Sequence, residues 1–255
     1  TLITVDPRVT ETARISDMHL PIKGGTNMIL VNAFGNVLIN ENLYDEEFIK
    51  EHTDNFEEYK KIVEPYTPEY AAKYTNIPAD MIRKTMREYA KAKDAMILYG
   101  MGVCQFSQAV DVVKGLASLA LLTGNFGRPN VGIGPVRGQN NVQGACDMGA
   151  LPDCYPGYQK VTNPEIRAKF EKAWGVKLPS KVGLKLTEVP HAVLEEHKIK
   201  AYYIFGEDPV QSDPDAAEVR EALDECEFVV VQDIFMNKTG LHADVIFPAT
   251  SWGEH

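Results

Sequence analysis

Short runs of β-branched and aromatic residues recur along the chain, each followed by a turn with an acidic residue, glycine or proline. The predicted strands are residues 2–5, 95–99, 201–205, 228–231 and 245–247. Almost every residue in these runs is apolar, so we expect both faces of their sheets to be covered. That pattern is typical of parallel sheets.

Longer stretches with helical spacing of apolar residues separate these runs. The predicted helices are residues 27–41, 79–92, 106–122, 163–174 and 214–225, of which the first is apolar on nearly every side. Strand, turn and helix therefore alternate, which predicts an α/β fold. We expect doubly wound, mostly parallel sheets arranged as two Rossmann-like layers.

A glycine-rich stretch from Thr123 to Gly157 separates the two halves of the chain. It carries few helix signals, and loops of this length are uncommon unless they are functional. We assign one α/β domain to residues 1–136 and a second to residues 137–255. Because the chain starts inside an apolar run and stops without a closing helix, we expect it to be a piece of a longer protein.

Composition excludes several classes of function. Asp and Glu outnumber Lys and Arg by 36 to 26, a formal charge of −10 without a dense basic patch, which disfavours nucleic-acid binding. The mostly apolar stretches are about half as long as the roughly 20 residues that a bilayer span needs, so no membrane span is predicted. The four cysteines form no CxxC pair, which favours free thiols in a reducing, cytoplasmic setting.

Four turns after predicted strands carry groups suited to a nucleotide. They contain Asp6 and Arg8, Gly100 and Gly102, Glu207 and Asp208, and Gln232 and Asp233. Open parallel sheets bind ligands at these ends, where carboxylates accept hydrogen bonds from ribose or guanine and glycines admit a pyrophosphate. Each acid alone is also a common turn former, so the prediction depends on their number. Neither GxGxxG nor GxxxxGK[ST] occurs, which leaves no NAD-type fingerprint and no P-loop.

Two further segments carry candidate binding groups. Gly24 and Gly25 precede a helix whose free N–H groups could face a phosphate, although capping by Thr26 or Asn27 is an equally open interpretation. The run from 135 to 145 combines Arg137 with four side-chain amides and small residues, which suits a polar ligand with many acceptors. Arg137 is a fixed cation for a small carboxylate, with an ordinary polar loop as the alternative.

These residues resemble the molybdopterin oxidoreductase family, and within it the catalytic subunit of formate dehydrogenase. The likeness rests on the segments 6–19, 99–102, 121–127, 136–153, 206–209 and 249–255, above all on the sequence RGQNNVQGACDMG. It implies a bis(molybdopterin guanine dinucleotide) cofactor with molybdenum or tungsten, and formate as the substrate. It also implies a 4Fe-4S cluster in an N-terminal segment outside these residues, and iron–sulfur subunits as electron-transfer partners.

The resemblance assigns roles to particular residues. It places Asp6, Arg8, Gly25 and Asn27 at one guanosine. It places Gly100, Met101, Gly102, Gln105, Arg137, Gly138 and Gln139 at the pterin side, and Glu207, Asp208, Ser212, Gln232 and Asp233 at the other guanosine. Arg137 matches the arginine that orients formate in the family.

The family's metal ligand, a cysteine or selenocysteine followed by histidine, is not among these residues, so no metal ligand is assigned. We therefore expect the chain alone to be inactive. Two alternatives stay open at this point: another member of the family, such as a nitrate reductase, and a non-catalytic iron–sulfur scaffold subunit of the NADH–quinone oxidoreductase type.

Overall fold

The structure, a computed structural model, describes residues 1–254. It forms two compact units, the first from Thr1 to Val142 and the second from Gln143 to the end of the described chain. Each unit has its own sheets and its own hydrophobic cluster.

The first unit contains short parallel strands surrounded by helices. Its strands are β1 (Ile3–Val5), β2 (Met18–Leu20), β3 (Met96–Tyr99) and β4 (Gly132–Pro135). Its helices are α1 (Glu11–Ile15), α2 (Asn27–Asn40), α3 (Glu46–His52), α4 (Phe56–Val63), α5 (Pro68–Thr75), α6 (Ala79–Lys91), α7 (Met101–Cys104) and α8 (Ala109–Leu122). β1 pairs with β2, and β3 pairs with β4, both in parallel.

Helix α2 is the centre of the first unit. It packs against α4, α5, α6 and α8, which explains why its sequence is apolar on nearly every side. Leu30 and Leu38 of α2 are fully buried and meet Leu20, Ile82 and Leu119 in one cluster. Burying each of these side chains contributes roughly 1.5–3 kcal/mol, so this cluster dominates the stability of the unit.

A glycine lets α4 approach α2 closely. A Cβ atom added at Gly35 would lie only 2.3 Å from the Tyr59 hydroxyl oxygen. That hydroxyl is buried without a hydrogen-bond partner among the described residues, and burial raises its pKa. The contact therefore tolerates no side chain at position 35 unless Tyr59 moves.

The second unit contains a three-stranded parallel sheet and a smaller antiparallel pair. Its strands are β5 (Cys154–Tyr155), β6 (Gln159–Lys160), β7 (Ala201–Phe205), β8 (Phe228–Asp233) and β9 (Val245–Pro248). Its helices are α9 (Val142–Asp147, which begins at the last residue of the first unit), α10 (Pro164–Trp174), α11 (Val189–Leu194), α12 (Pro209–Ser212) and α13 (Ala216–Glu225). Short 3-10 turns lie at Leu186–Glu188, Thr239–His242 and Trp252–Glu254.

One face of the β7-β8-β9 sheet carries the core of the second unit. Ile204, Val229 and Val231 are buried there against Val219 and Leu223 of α13. Neighbouring residues alternate to the opposite face, where Tyr203 is 56% and Phe205 is 70% exposed. The expectation that both sheet faces are covered is therefore wrong for this sheet among the described residues.

The predicted α/β class with mostly parallel sheets is confirmed, and the sheets are small. The glycine-rich middle is more ordered than its composition suggests, since it contains β4, α9 and β5. The longest described helices, α2 and α8, have 14 residues each, and no described helix is long and apolar enough to cross a bilayer.

We predict that Gly35→Ala lowers the free energy of unfolding by about 1–3 kcal/mol, because overpacking outweighs the gain of roughly 1 kcal/mol in helix propensity. Urea denaturation measures the change. Tyr59→Phe removes the atom nearest the new methyl group, so Gly35→Ala should cost less in that background. An equal loss of unfolding free energy in both backgrounds would show that the Tyr59 hydroxyl is not what clashes with the new methyl group.

Candidate functional site

In the first unit, the turn after β1 is held by the neighbouring strand. The backbone N–H of Asp6 donates to the carbonyl oxygen of Leu20 (3.2 Å), and Nε2 of His19 donates to the carbonyl oxygen of Asp6 (2.8 Å). The carboxylate of Asp6 accepts a further bond from the backbone N–H of Arg8 (2.8 Å). This turn is therefore fixed at the carboxyl end of the β1–β2 sheet, with Asp6 half-buried and Arg8 exposed.

His19 has a position that the sequence pattern did not reveal. It lies in β2 between two buried residues, Met18 and Leu20. The parallel register places it opposite Thr4, and its ring reaches the Asp6 carbonyl beyond the end of β1. His19 is thus a positioning residue for the predicted nucleotide turn.

The N-terminus of α2 meets the turn that follows β3. The side-chain amide of Asn27 donates to the carbonyl oxygen of Gly102 (3.3 Å). The hydroxyl of Thr26 donates back to the carbonyl oxygen of Lys23 (2.7 Å) and makes no bond that caps the helix. Gly25 takes a left-handed conformation (φ +83°) in the turn between them, which favours glycine there. Capping of α2 by the Thr26 side chain is therefore excluded.

Predicted residues from three segments line one cavity in the first unit. Asp6, Asn27, Gly100 and Gly102 all lie on its wall, and its volume is about 830 Å³. The topology brings them together because β1 and β3 end here and α2 begins here. This agrees with the general placement of ligands at the carboxyl ends of parallel strands.

Arg137 follows the end of β4, beside the turn between β3 and α7. Tyr99 of β3 lies opposite Pro135 of β4, and the backbone N–H of Val136 donates to the carbonyl oxygen of Tyr99 (2.7 Å). A Cβ atom added at Gly100 would lie 3.7 Å from the Val136 carbonyl oxygen. The chain direction therefore places the exposed Arg137 next to the β3–α7 turn.

The other predicted pterin-side residues follow these two strand ends. Met101 begins α7 and is 56% exposed, and Gln105 directly follows that helix. Gly138 and Gln139 form an exposed turn after Arg137. Within residues 1–254, no group of three or more His, Cys, Asp or Glu side chains is arranged to hold a metal ion.

In the second unit, hydrogen bonds made by Gly206 and Asp208 organise the turn after β7. The backbone N–H of Gly206 donates to the carbonyl oxygen of Gln232 (2.9 Å), which joins the ends of β7 and β8. The carboxylate of Asp208 accepts bonds from the Thr239 backbone N–H (3.0 Å) and hydroxyl (2.6 Å). Thr239 is completely buried, and its hydroxyl oxygen also accepts from the Val210 backbone N–H (3.2 Å).

Asp233 organises the turn after β8 in a similar way. One carboxylate oxygen accepts from the backbone N–H groups of Ile234 (2.6 Å) and Phe235 (3.2 Å), and the other accepts from the side-chain amide of Asn237 (2.9 Å). Asn237 also reaches the carbonyl oxygen of Glu207 (3.3 Å). Asn237 therefore bonds the two predicted guanosine turns to each other, and Thr239 secures the first of them; the sequence motifs included neither residue.

The remaining predicted side chains of the second unit border these turns. Glu207 and Ser212 are exposed, and Gln232 accepts a hydrogen bond from the Tyr203 hydroxyl. Desolvation, with the nearby Asp213 carboxylate, raises the pKa of Glu207. A raised pKa means that this carboxyl keeps its proton to a higher pH than an ordinary glutamate does.

The chain is similar in sequence to known proteins along its whole length. The sequence profile of the molybdopterin oxidoreductase family matches residues 1–255. The chain is 57% identical to formate dehydrogenase H of Escherichia coli, over all of this chain and 36% of that protein. It is 49% identical to the F420-dependent formate dehydrogenase subunit alpha of Methanocaldococcus jannaschii, over 99% of this chain and 37% of that subunit.

A solved structure shares the fold. Acetylene hydratase from Pelobacter acetylenicus superposes with a TM-score of 0.72 at 24% sequence identity, over 98% of this chain and 37% of that one. At this identity the likeness concerns the fold alone. The chain thus spans little more than a third of the length of the relatives it matches.

We predict that Thr239→Val lowers the free energy of unfolding by about 2 kcal/mol, because it leaves the Val210 N–H buried without an acceptor and removes a bond to Asp208. Ser212→Ala is the matched control in the same turn, since its hydroxyl is exposed, and it should change stability by less than about 0.5 kcal/mol. Chemical denaturation followed by circular dichroism measures both variants. Equal effects would contradict the role given to Thr239.

Proposed function

Since the chain belongs to the molybdopterin oxidoreductase family, we propose that it is the part of a formate dehydrogenase that binds the cofactor and the substrate. The reaction converts formate to carbon dioxide, one proton and two electrons. The observation that carries the proposal is the position of Arg137, directly after β4 and beside the Gly100–Gly102 turn. The names of the relatives at 57% and 49% identity support the choice of substrate.

The residues of the first unit fit a pterin guanine dinucleotide. Added Cβ atoms at Gly102 and Gly138 would meet nothing within 4 Å, and at Gly100 only a carbonyl oxygen at 3.7 Å, so the backbone is open to phosphates. We assign Asp6, Arg8, Gly25 and Asn27 to one guanosine. Asp6 supplies a carboxylate in a fixed turn, which suits the N1 and N2 edge of guanine.

The residues of the second unit fit a second guanosine in a different way. Asp208 and Asp233 keep their turns in shape, as their bonds to Thr239 and Asn237 indicate. The exposed Glu207 and Ser212 and the half-buried Gln232 are left to contact the ligand directly. In this proposal, some residues of the set contact the guanosine directly, and the two aspartates hold the turns that carry them.

A molybdenum or tungsten centre on this cofactor, when bound, accepts the two electrons from formate. We assign no metal ligand to this chain, because no described cluster of donors fits one. We further propose that the electrons leave through iron–sulfur clusters of the complete enzyme and its partner subunits, and that the enzyme is cytoplasmic.

Arg137 binds and orients formate in this proposal. Formate has one carboxylate and no other group to hold, so a planar guanidinium that donates two parallel hydrogen bonds is the physical device that fixes its direction. Orientation of the C–H bond toward the cofactor then follows from those two bonds. A lysine at this position would attract formate without fixing its direction.

We predict that Arg137→Ala in the complete enzyme lowers kcat/KM for formate by roughly 10²-fold or more, which corresponds to about 3 kcal/mol of lost carboxylate contact. Arg137→Lys should recover only part of the loss. Arg220→Ala, an exposed arginine on α13, is the control and should leave the kinetics unchanged. Steady-state rates at several formate concentrations test this, and wild-type kcat/KM in Arg137→Ala would remove the residue from the reaction.

We also predict that residues 1–255 expressed alone hold far less than one molybdenum or tungsten per chain, because no described cluster of donors can coordinate the metal. Elemental analysis by mass spectrometry measures the content. A stoichiometric amount of metal would show that this chain binds the centre without further ligands, against the proposal.

A further inference from the structure

A cluster of reactive side chains lies on the hairpin formed by β5 and β6 in the second unit. In this hairpin Cys154 pairs directly with Lys160, in an antiparallel register that also pairs Tyr155 with Gln159. Side chains of directly opposed residues lie on the same face of the two strands, with Cβ atoms about 4.5–5.5 Å apart. The backbone alone therefore brings the thiol of Cys154 and the amine of Lys160 together.

The Lys160 ammonium group contacts both Cys154 and the neighbouring Asp153. Its Nζ atom donates to Oδ2 of Asp153 and lies 3.4 Å from Sγ of Cys154. Cys154 is only 4% exposed, whereas 61% of the Lys160 side chain is exposed. The thiol is thus buried next to an amine that reaches solvent, and the Asp153 carboxylate holds that amine beside the sulfur.

This environment distinguishes Cys154 from the other cysteines. A positive charge beside a cysteine favours its thiolate, which is the form that attacks peroxides. Hydrogen bonds to Asp153 and to the Cys154 sulfur raise the pKa of Lys160, so its amine keeps that positive charge near neutral pH. Within residues 1–254, no lysine is bonded to the sulfur of the remaining cysteines, Cys104, Cys146 and Cys226.

We propose that Cys154 and Lys160 form a peroxide-sensitive switch in which oxidation joins Sγ to Nζ by a covalent bond. In the first step the Cys154 thiolate attacks hydrogen peroxide, the O–O bond breaks and hydroxide leaves, so sulfur is oxidised to a sulfenic acid and the peroxide is reduced. The hydroxide takes a proton from the Lys160 ammonium group and becomes water. The neutral amine then attacks the sulfur, the S–O bond breaks, and the departing hydroxyl group leaves with one amine proton as a second water. The product is a sulfenamide.

The geometry favours this condensation. The separation of 3.4 Å between Nζ and Sγ lies within the range of roughly 3–3.5 Å that defines a near-attack arrangement. The flexible lysine stem allows Nζ to close the remaining distance, because most of that side chain is exposed. Condensation also protects the sulfur, since a sulfenic acid that meets a second peroxide becomes an irreversible sulfinic acid.

The bond has a defined effect on the second unit. β5 and β6 have only two residues each, and a two-stranded hairpin is marginally stable by itself. Tyr155 of this hairpin packs with Val161 and Phe170 in a small hydrophobic cluster. A link between Sγ and Nζ therefore fastens the two strands together, and with them the cluster that they carry. None of these residues belongs to the proposed formate or nucleotide sites, so the switch does not rest on the proposed function.

Mass spectrometry of the complete polypeptide after treatment with hydrogen peroxide tests the proposal. Chymotrypsin cleaves after Tyr158, which lies between the two residues, so a link keeps the peptides of Cys154 and Lys160 joined. The joined pair should be about 2 Da lighter than the sum of the separate peptides, because the reaction removes two hydrogens overall, and dithiothreitol should release them. A thiol or a sulfinic acid at Cys154 with Lys160 unlinked would overturn the proposal.

Two variants separate the covalent role of Lys160 from its charge. Lys160→Arg keeps a positive charge beside the sulfur, but the guanidinium group stays protonated and cannot condense, so the link should be absent and dimedone should trap Cys154 as the sulfenic acid. Lys169→Arg is the matched control, because Lys169 is an exposed lysine nearby that bonds to Gln159 instead, and it should form the link as the wild type does. An equal yield of linked peptide in Lys160→Arg and in the wild type would assign the link to another amine and refute the pairing.

Discussion

Main-chain hydrogen bonds between the ends of parallel strands bring candidate binding turns together in each unit. One joins Val136 to Tyr99 in the first unit, and another joins Gly206 to Gln232 in the second. Because parallel strands all finish at the same edge, closing that edge with backbone bonds brings the following turns together whatever their sequences are. Glycines and acids then occupy these turns, where a bulky, polar ligand finds both space and hydrogen-bond partners.

The strands and the main helices were predictable because their signals are local. The almost wholly apolar runs at 2–5, 201–205 and 228–231 predict strands, and the nearly all-apolar α2 predicts a central helix. Helices α3 and α5 were missed although their signals exist. Asp45 accepts from the backbone N–H of Phe48, and Thr67 followed by Pro68 caps α5, so attention to caps would have found both.

Other features depend on pairing, which no local pattern encodes. β4 contains Gly132, Gly134 and Pro135, all poor strand formers, and exists because β3 supplies its hydrogen bonds. Gly132 takes a left-handed φ of +118°, which glycine adopts readily. Likewise, the sequence motifs place Asp208 and Asp233 after strands, but they do not reveal that the Asp208 carboxylate accepts from the buried Thr239 and the Asp233 carboxylate from Asn237.

The use of those carboxylates changes how the second unit recognises a ligand. A carboxylate that already accepts two or three protein hydrogen bonds has fewer lone pairs left, so its main effect is to hold the turn in one shape. In the proposed function, the ligand meets a preformed surface whose direct contacts come from Glu207, Ser212 and Gln232. Preorganisation of this kind lowers the entropy lost on binding, because the turns do not have to be ordered by the ligand. In the first unit, the Asp6 carboxylate accepts one backbone N–H, from Arg8, while His19 holds the backbone carbonyl of Asp6, so both units present fixed acids at the ends of parallel strands.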